Sequence, residues 1–248
     1  MQREYSNIKN NRFLVQLLEN ELKLPQAPNL NSNNKKKQLQ DIINEHEINK
    51  KYAQKLQILQ DFKIVFILDD SGSMNTPLKE SPLLSNNNNN NSNSSLNKKI
   101  TRWDELHYFS NIMLEIANLF NPNGCDVYFL NRTSNMNVKD KEQLSRLFLL
   151  ESPQGFTPLT SKLNEVLNDN LFQLINRKLL IIIITDGEPT DSEGTINVQE
   201  FKDCLLKRPS NVYTTIAACT DDDLSVEYLN NWDKEMPRLG IKLFISFS

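Results

Sequence analysis

The sequence predicts an α/β domain with a doubly wound, Rossmann-like fold, in which helices cover both faces of a mostly parallel sheet. Two short segments, residues 63–69 and 178–185, are almost wholly apolar, which is typical of strands buried on both faces. Segments with apolar residues at three- and four-residue spacings alternate with such strands, and this order implies right-handed crossovers between parallel strands. The length of 248 residues is sufficient for one sizeable domain with its own core.

Five strands and five helices are predicted to alternate from residue 63 onwards. The strands are expected at 63–69, 125–131, 178–185, 211–220 and 241–247. The helices are expected at 102–119, 139–150, 160–175, 196–207 and 224–232. We therefore expect one α/β domain over residues 63–248, with its ligand site at the carboxyl ends of the strands.

The first 62 residues are predicted to form a segment of helices and linker, whose longer helix is expected to dock on the following domain or lead into it, with self-association through that helix as the alternative. They carry 10 Lys or Arg against 7 Asp or Glu, whereas the rest of the chain is acidic. A short amphipathic helix is predicted over 12–24, turn-forming residues follow at 25–34, and a longer helix is predicted over 37–60. A second polar stretch, the Asn-rich segment at about 79–97, is expected to be a disordered insertion because it has few apolar side chains to bury.

The composition argues against several classes of function. A net charge of −3 is unlike that of a basic nucleic-acid-binding protein, and the longest apolar run, at 179–184, is far short of the roughly 20 residues that cross a membrane. The N-terminus lacks the apolar core of a secretory signal, and three cysteines fit a reducing compartment, so we expect a cytoplasmic protein. With only two histidines, any metal site must rest on oxygen ligands, which favour Mg²⁺, Mn²⁺ or Ca²⁺ over Zn²⁺.

An acidic loop directly follows the first predicted strand. Asp69, Ser71 and Ser73 alternate there at a spacing of two, so a tight turn can bring one carboxylate and two hydroxyls to one point. Gly72 would relieve the crowding in such a turn. A pattern as short as D-x-S-x-S also arises by chance, and a serine that merely caps the next helix explains it equally well. The rest of the chain has to decide between the two interpretations.

Two further stretches favour a metal site. Thr157 lies on a loop just before a predicted helix, and Asp186 follows the most apolar strand. Together with the first loop they supply three hydroxyls and two carboxylates, a hard oxygen set whose two negative charges suit one divalent cation of the Mg²⁺ type, with Mn²⁺ and Ca²⁺ as alternatives. Such a set would leave a coordination position open for an outside ligand.

The stretches DDSGSM, GFTPLT and TDGEPTD resemble the three parts of the metal-ion-dependent adhesion site of von Willebrand factor A (VWA) domains. The family pattern is D-x-S-x-S, a distant Thr and a distant Asp, and all five positions are matched here by Asp69, Ser71, Ser73, Thr157 and Asp186. The similarity runs from about residue 63 to the C-terminus. The stretches RWDEL, DVYFLNR and ACTDDD look most like those of intracellular VWA proteins of protists and fungi.

The resemblance implies a metal-dependent protein-binding module and not an enzyme. In the family, Ser and Thr hydroxyls hold the ion, the aspartates act mostly through water, and an Asp or Glu of a protein partner completes the coordination sphere. Two features depart from the family. About 25 residues, including the Asn-rich stretch, separate the acidic loop from the next helix, and we expect them beside the metal face. No helix follows the last predicted strand, so either that helix is missing or the N-terminal helix covers the gap.

Two other functions remain open on the sequence. The first is a scaffold with a vestigial metal site, which would bind its partner without metal through the Asn-rich insertion and the N-terminal helix. The second is a Mg²⁺-dependent phosphotransferase or phosphatase with Asp69 as its nucleophile. Against the enzyme, Ser71 stands where the D-x-D pattern of haloacid-dehalogenase-type enzymes requires a second Asp. Asp70 lies in an intervening position of the motif and is expected to point away from the site.

Overall fold

Six strands form one sheet in the computed structural model, which describes residues 33–45, 56–78, 99–175, 177–220 and 223–243. In chain order the strands are β1 Phe62–Leu68, β2 Cys125–Phe129, β3 Asn135–Val138, β4 Lys178–Thr185, β5 Val212–Ala218 and β6 Leu239–Leu243. The order across the sheet is β3-β2-β1-β4-β5-β6. All neighbouring strands pair in parallel except β3, which runs antiparallel to β2 at one edge.

The central strands β1 and β4 carry apolar side chains on both faces of the sheet. Residues 62–68 pair in register with residues 178–184, so the two strands end side by side. Successive side chains of a strand point to opposite faces. Ile64 and Phe66 belong to one apolar layer, whereas Val65 and Ile67 belong to the other. Burial on both faces explains why these strands are almost uninterrupted apolar runs.

Helices cover both apolar layers. They are α1 Asn33–Glu45, α2 Arg102–Phe120, α3 Lys141–Leu150, α4 Leu159–Asp169, α5 Val198–Lys207 and α6 Trp232–Glu235. The first three contribute buried side chains to the layer that contains Phe66, and the last three contribute to the layer that contains Val65. The predicted doubly wound α/β fold is therefore confirmed, with a mostly parallel sheet between two helical layers.

The start of α2 is fixed by a reciprocal cap. The Thr101 hydroxyl accepts a hydrogen bond from the Asp104 backbone N–H, and the Asp104 carboxylate accepts one from the Thr101 N–H. This pair satisfies two backbone donors that the first helical turn would otherwise leave without a partner. The cap therefore sets the position of Arg102, the first residue of the helix.

Three predicted helices have other bounds in the structure. The helix expected over 37–60 is represented by α1 and, beyond residues 46–55, which are not described, by a 3₁₀ turn at Gln57–Asp61. The helix expected over 160–175 ends at Asp169, because the Asn170 side-chain amide donates to the Val166 carbonyl and caps it.

The helix expected over 224–232 is also interrupted. A 3₁₀ turn spans Asp223–Leu229, and Asn231 then adopts the left-handed region with φ of 70° before α6 begins. Asparagine tolerates this region better than most residues, so the local sequence permits the break.

The sequence did not predict the edge strand β3. Its four residues, Asn-Met-Asn-Val, lack a run of apolar side chains, and only Val138 among them is buried. The helix predicted at 12–24, the insertion at 79–97 and residues 244–247 of the last predicted strand lie outside the described residues. Within the described ranges, no helix is both long enough and apolar enough to cross a membrane.

Candidate metal centre

Two buried carboxylates lie at the carboxyl ends of the central strands. Asp69 directly follows β1, and Asp186 directly follows β4. The Asp69 backbone N–H donates to the carbonyl of Ile184 at 2.9 Å, so the two strand ends are held together. The side chains of both aspartates lie beneath the surface, at 0% exposure for Asp69 and 1% for Asp186. The parallel register therefore places two negative charges at one edge of the sheet, as the ligand-site rule for open α/β sheets predicts.

The carboxylate of Asp69 is held at both oxygens. Its Oδ1 accepts a hydrogen bond from the Ser71 backbone N–H at 2.8 Å. Its Oδ2 accepts one from the hydroxyl of Thr185, the last residue of β4. Thr185 also lies fully buried. These contacts orient the carboxylate without neutralising its charge.

The two serine hydroxyls lie between the aspartates. Ser71 precedes a 3₁₀ turn at Gly72–Asn75, but its side chain makes no capping hydrogen bond there. Its Oγ lies instead 2.9 Å from the Oγ of Ser73. Ser73 in turn donates to Oδ1 of Asp186 at 2.7 Å. The helix-cap interpretation therefore does not account for Ser71, and four of the five residues predicted as ligands are brought to one place.

Thr157 is positioned by its loop. The Gly72 N–H donates to the Gly155 carbonyl at 3.1 Å, which holds this loop beside the first one. The Thr157 N–H donates to the Thr190 hydroxyl, and the Thr190 N–H donates back to the Thr157 carbonyl, both at 2.9 Å. Among the described residues, the Thr157 hydroxyl makes no hydrogen bond to the other four predicted ligands. Its association with the centre therefore rests on the placement of the loop.

Gly155 allows this loop to approach the first one. Its φ of 89° lies in the region that favours glycine, and a Cβ at this position would lie 2.6 Å from Oδ1 of Asn131. Asn131 donates from its side-chain amide to the Phe156 carbonyl and to the Asp70 carboxylate. A side chain at residue 155 would thus disturb the contacts that place Thr157.

The pKa of Asp69 is raised to about 7. The largest cause is burial, which disfavours the charged form, and the nearby negative charge of Asp186 adds to it. Hydrogen bonds from Ser71 and Thr185 oppose the shift but do not cancel it. A cation bound between the two carboxylates would reverse the second cause. The electrostatics of the centre therefore favour the uptake of positive charge.

Sequence reasoning missed the role of Arg102. Its NH1 lies 2.8 Å from Oδ2 of Asp186, and the exposure of the two side chains is only 10% and 0%. From the sequence, Arg102 was predicted only as the start of a helix, and nothing in its spacing from residue 186 signals the contact. The pairing arises because the capped start of α2 lies at the same edge as the end of β4.

Asp70 points away from the centre, as predicted. Its Oδ2 pairs with Nε of Arg132 at 2.9 Å, and its Oδ1 accepts from the Asn131 backbone N–H at 2.8 Å. Arg132 also lies over the ring of Trp103, 5.1 Å from its centroid. Asp191, five residues after Asp186 in the chain, accepts hydrogen bonds from the backbone N–H groups of Glu193 and Thr195 and so organises its own loop.

The oxygen set fits a hard divalent cation. Two carboxylates and at least two hydroxyls converge from the loops after β1 and β4, and neither thiol nor imidazole is among them. In the described ranges, no group of three or more His, Cys, Asp or Glu side chains is placed to hold a metal ion. A centre here would therefore depend on the serine hydroxyls as much as on the carboxylates, which suits Mg²⁺ or Mn²⁺ and not Zn²⁺.

Comparisons with known proteins add little to this description. No family model matches the chain, and no curated protein matches it. Among solved structures, the chain is similar to the crystal structure of the manganese-loaded Plasmodium vivax TRAP protein, with 17% sequence identity and a TM-score of 0.34. The match covers 64% of this chain and 57% of that one, so the chain spans a little over half its length. These values are too low to transfer a ligand or a function.

Proposed function

We propose that this chain is a VWA-type protein-interaction module, whose candidate metal centre holds a divalent cation of the Mg²⁺ type and binds a carboxylate of a protein partner. The observation that carries the proposal is the linked set of Asp69, Ser71, Ser73 and Asp186 at the carboxyl edge of the sheet. The match to the VWA motif supports the same assignment, because these residues and Thr157 fill its five positions.

The residues of the centre divide into two roles. Asp69 and Asp186 supply the negative charge that makes the site selective for a cation, and burial strengthens their attraction for that cation by excluding water. Ser71, Ser73 and Thr157 supply neutral oxygens that fix the position of the ion. Because neutral oxygens leave much of the ion's charge uncompensated, an additional anionic ligand is attracted.

The exposure of the four side chains leaves one direction from which that ligand can reach the ion. Ser73 is exposed to solvent, whereas Asp69, Ser71 and Asp186 are buried. An ion held between Ser73 and the aspartates would be reached from the side of Ser73. A carboxylate from a partner could then complete the coordination sphere without rearranging the buried residues.

The structure offers little support for Asp69 as an enzymatic nucleophile. Its side chain is fully buried, and both carboxylate oxygens already accept hydrogen bonds, from Ser71 and Thr185. A phosphoryl acceptor needs an oxygen that faces its substrate. We therefore favour binding over phosphoryl transfer, and a scaffold that works without metal is the remaining alternative.

Mn²⁺ titration of the full chain, followed by electron paramagnetic resonance, tests the proposal. We expect saturable binding at one site, competition by Mg²⁺, and loss of at least about tenfold in affinity in Asp69→Asn and in Asp186→Asn. Asp203→Asn is the matched control, because it removes the same charge from α5, where Asp203 accepts a hydrogen bond from Gln199. Absence of binding, or equal binding in all four proteins, would contradict the metal centre.

Capture of partners from a cell extract separates the module from the scaffold. We expect the captured proteins to be retained in Mg²⁺, to be released by a chelator and to be lost with Asp186→Asn. Retention that is indifferent to the chelator and to this substitution would support the metal-independent scaffold instead.

A further inference from the structure

Arg102 is anchored to the loop that carries the motif. Its backbone N–H donates to the Thr76 carbonyl at 3.0 Å, just beyond the 3₁₀ turn that contains Ser73. Pro77 and Thr101 form an antiparallel bridge beside this bond, and the Leu78 N–H donates to the Ile100 carbonyl. The position of the guanidinium is therefore set by the same loop that supplies the serine hydroxyls.

Both oxygens of Asp186 are engaged, by groups of different charge. Oδ1 accepts from the neutral Ser73 hydroxyl, and Oδ2 accepts from the cationic Arg102 guanidinium. The ion pair is almost excluded from solvent, so its charges interact more strongly than a surface pair would. In the described ranges, no Lys or Arg forms an ion pair with Asp69, so the counter-charge is placed on one side of the centre only.

We propose that Arg102 is a built-in counter-cation of this metal centre, which weakens its hold on the divalent ion and makes the loaded centre one unit of charge more positive than it would be without the arginine. This inference rests on the proposed function. Arg102 adds one unit of positive charge beside the two carboxylates, and the buried carboxyl of Glu105 lies on the same first turn of α2. Replacing Arg102 by a neutral residue therefore makes the loaded centre less positive by one unit of charge. The arginine thus makes the ion depend on an additional anion.

The consequence is a trade between two affinities. The ion has to share Asp186 with a like-charged guanidinium, which lowers its affinity. The carboxylate of a partner meets a centre that is more positive by the charge of the guanidinium, which raises the affinity for that carboxylate. The net effect is a site that holds its ion most firmly when the partner is present, so loading and capture become coupled.

The substitutions Arg102→Met and Arg102→Gln test the expected weakening of metal binding by the arginine. A unit charge within about 4–6 Å commonly changes the affinity of a site for a proton by one to three powers of ten. We therefore expect Mn²⁺ to bind about tenfold tighter or more in both variants. The glutamine can still donate a hydrogen bond to Asp186, so it covers the case in which the methionine variant does not fold. Circular dichroism establishes folding before titration.

Lys202→Met is the matched control. Lys202 also pairs with a carboxylate at 2.8 Å, that of Glu235, but this pair is exposed and links α5 to the end of α6. The substitution Lys202→Met removes the same unit of positive charge as the Arg102 variants do. Since exposed charges are screened, we expect the Mn²⁺ affinity to stay within about twofold of the wild-type value.

Acetate tests the expected gain in affinity for a carboxylate, with the relaxation rate of its methyl protons, which bound Mn²⁺ increases, as the readout. At full Mn²⁺ loading, we expect Arg102→Gln to increase this relaxation rate clearly less than the wild type or Lys202→Met does. An Mn²⁺ affinity that is unchanged or weaker in both Arg102 variants would overturn the inference while leaving the metal centre in place. If no variant and no wild-type protein binds Mn²⁺, the proposed function fails as well.

Discussion

Asp69 and Asp70 are adjacent in the chain and almost equally buried, at 0% and 1% exposure, yet their surroundings differ in charge. Asp70 is paired with Arg132 and accepts hydrogen bonds from Asn131. Among the described residues, Asp69 accepts its hydrogen bonds from Ser71 and Thr185. The first arrangement neutralises its carboxylate, whereas the second orients a carboxylate and leaves its charge in place.

This difference divides the loop into two sides. We call the side of Asp70 and Arg132 the structural side, and the side of Asp69 the ligand side. Alternation along the extended chain turns the two side chains in opposite directions. On the structural side, Arg132 also donates to the carbonyls of Leu147 and Glu151 and so joins the loop to α3. Burial raises the pKa of both carboxyl groups, but Asn131 and Arg132 oppose the shift at Asp70, whereas the charge of Asp186 adds to it at Asp69 and raises the pKa there to about 7. A carboxylate without a cation partner in the described part of the chain is suited to bind a cation from outside.

The largest effect is expected from removing the cation on the structural side. Arg132→Met leaves Asp70 buried without its ionic partner, and breaking a buried pair in this way typically costs about 3–5 kcal/mol. We expect a loss of that size in the free energy of unfolding, measured by urea denaturation. The Mn²⁺ affinity of the folded variant should change little. A loss below about 1 kcal/mol, or a Mn²⁺ affinity that falls as far as in Asp69→Asn, would contradict the division into two sides.

An effect of opposite sign is expected on the ligand side. Asp69→Asn removes a buried charge that has no counter-ion among the described residues, so the metal-free variant should be more stable than the wild type at pH 8, by at most about 4 kcal/mol. Saturating Mn²⁺ should reverse the order, because only the wild type binds the ion firmly. Equal stability of the two metal-free proteins at pH 8 would show that the charge of Asp69 is already compensated.

The pH dependence of this difference has a defined sign. The folded-state pKa of Asp69, about 7, lies above its ordinary value of 3.8, so the folded state binds a proton more tightly than the unfolded state does. The stabilisation of the wild type by that proton is complete below pH 3.8 and is lost as the pH rises through 7. The stability advantage of Asp69→Asn should therefore grow between about pH 4 and pH 7 and then level off. Asp203→Asn should show no such change.

The fold and the convergence of the Asp69, Ser71, Ser73 and Asp186 side chains were predictable because both depend on local sequence. The apolar runs of β1 and β4 predict strands that are buried on both faces of the sheet. A carboxylate directly after such a strand then lies at the carboxyl edge of the sheet. Arg102 was not predictable, because its contact with Asp186 depends on how α2 is placed after a long insertion. The strand β3 was missed for a related reason, since its pairing comes from the neighbouring strand and not from its own apolar content.

The smallest effect tests how far the structural side extends. His107 on α2 lies 2.8 Å from the Ser145 hydroxyl on α3, and its ring stacks on Phe148 at 4.5 Å. Phe148 also packs against Trp103, which lies under Arg132. Burial lowers the pKa of His107, so the imidazole ring of the folded protein is neutral at pH 7.5. Its hydrogen bond with Ser145 therefore joins two neutral groups.

Ser145→Ala should therefore cost about 1 kcal/mol of unfolding free energy, the usual contribution of one such hydrogen bond. The variant should keep the wild-type Mn²⁺ affinity, because the change lies on the far side of Trp103 and Arg132 from Asp69. Urea denaturation at pH 7.5 and Mn²⁺ titration of the same samples measure both quantities. A shift in Mn²⁺ affinity comparable to that of Asp69→Asn would mean that the contact between α2 and α3 controls the metal centre, and that Arg132 and Asp70 transmit strain to it instead of isolating it.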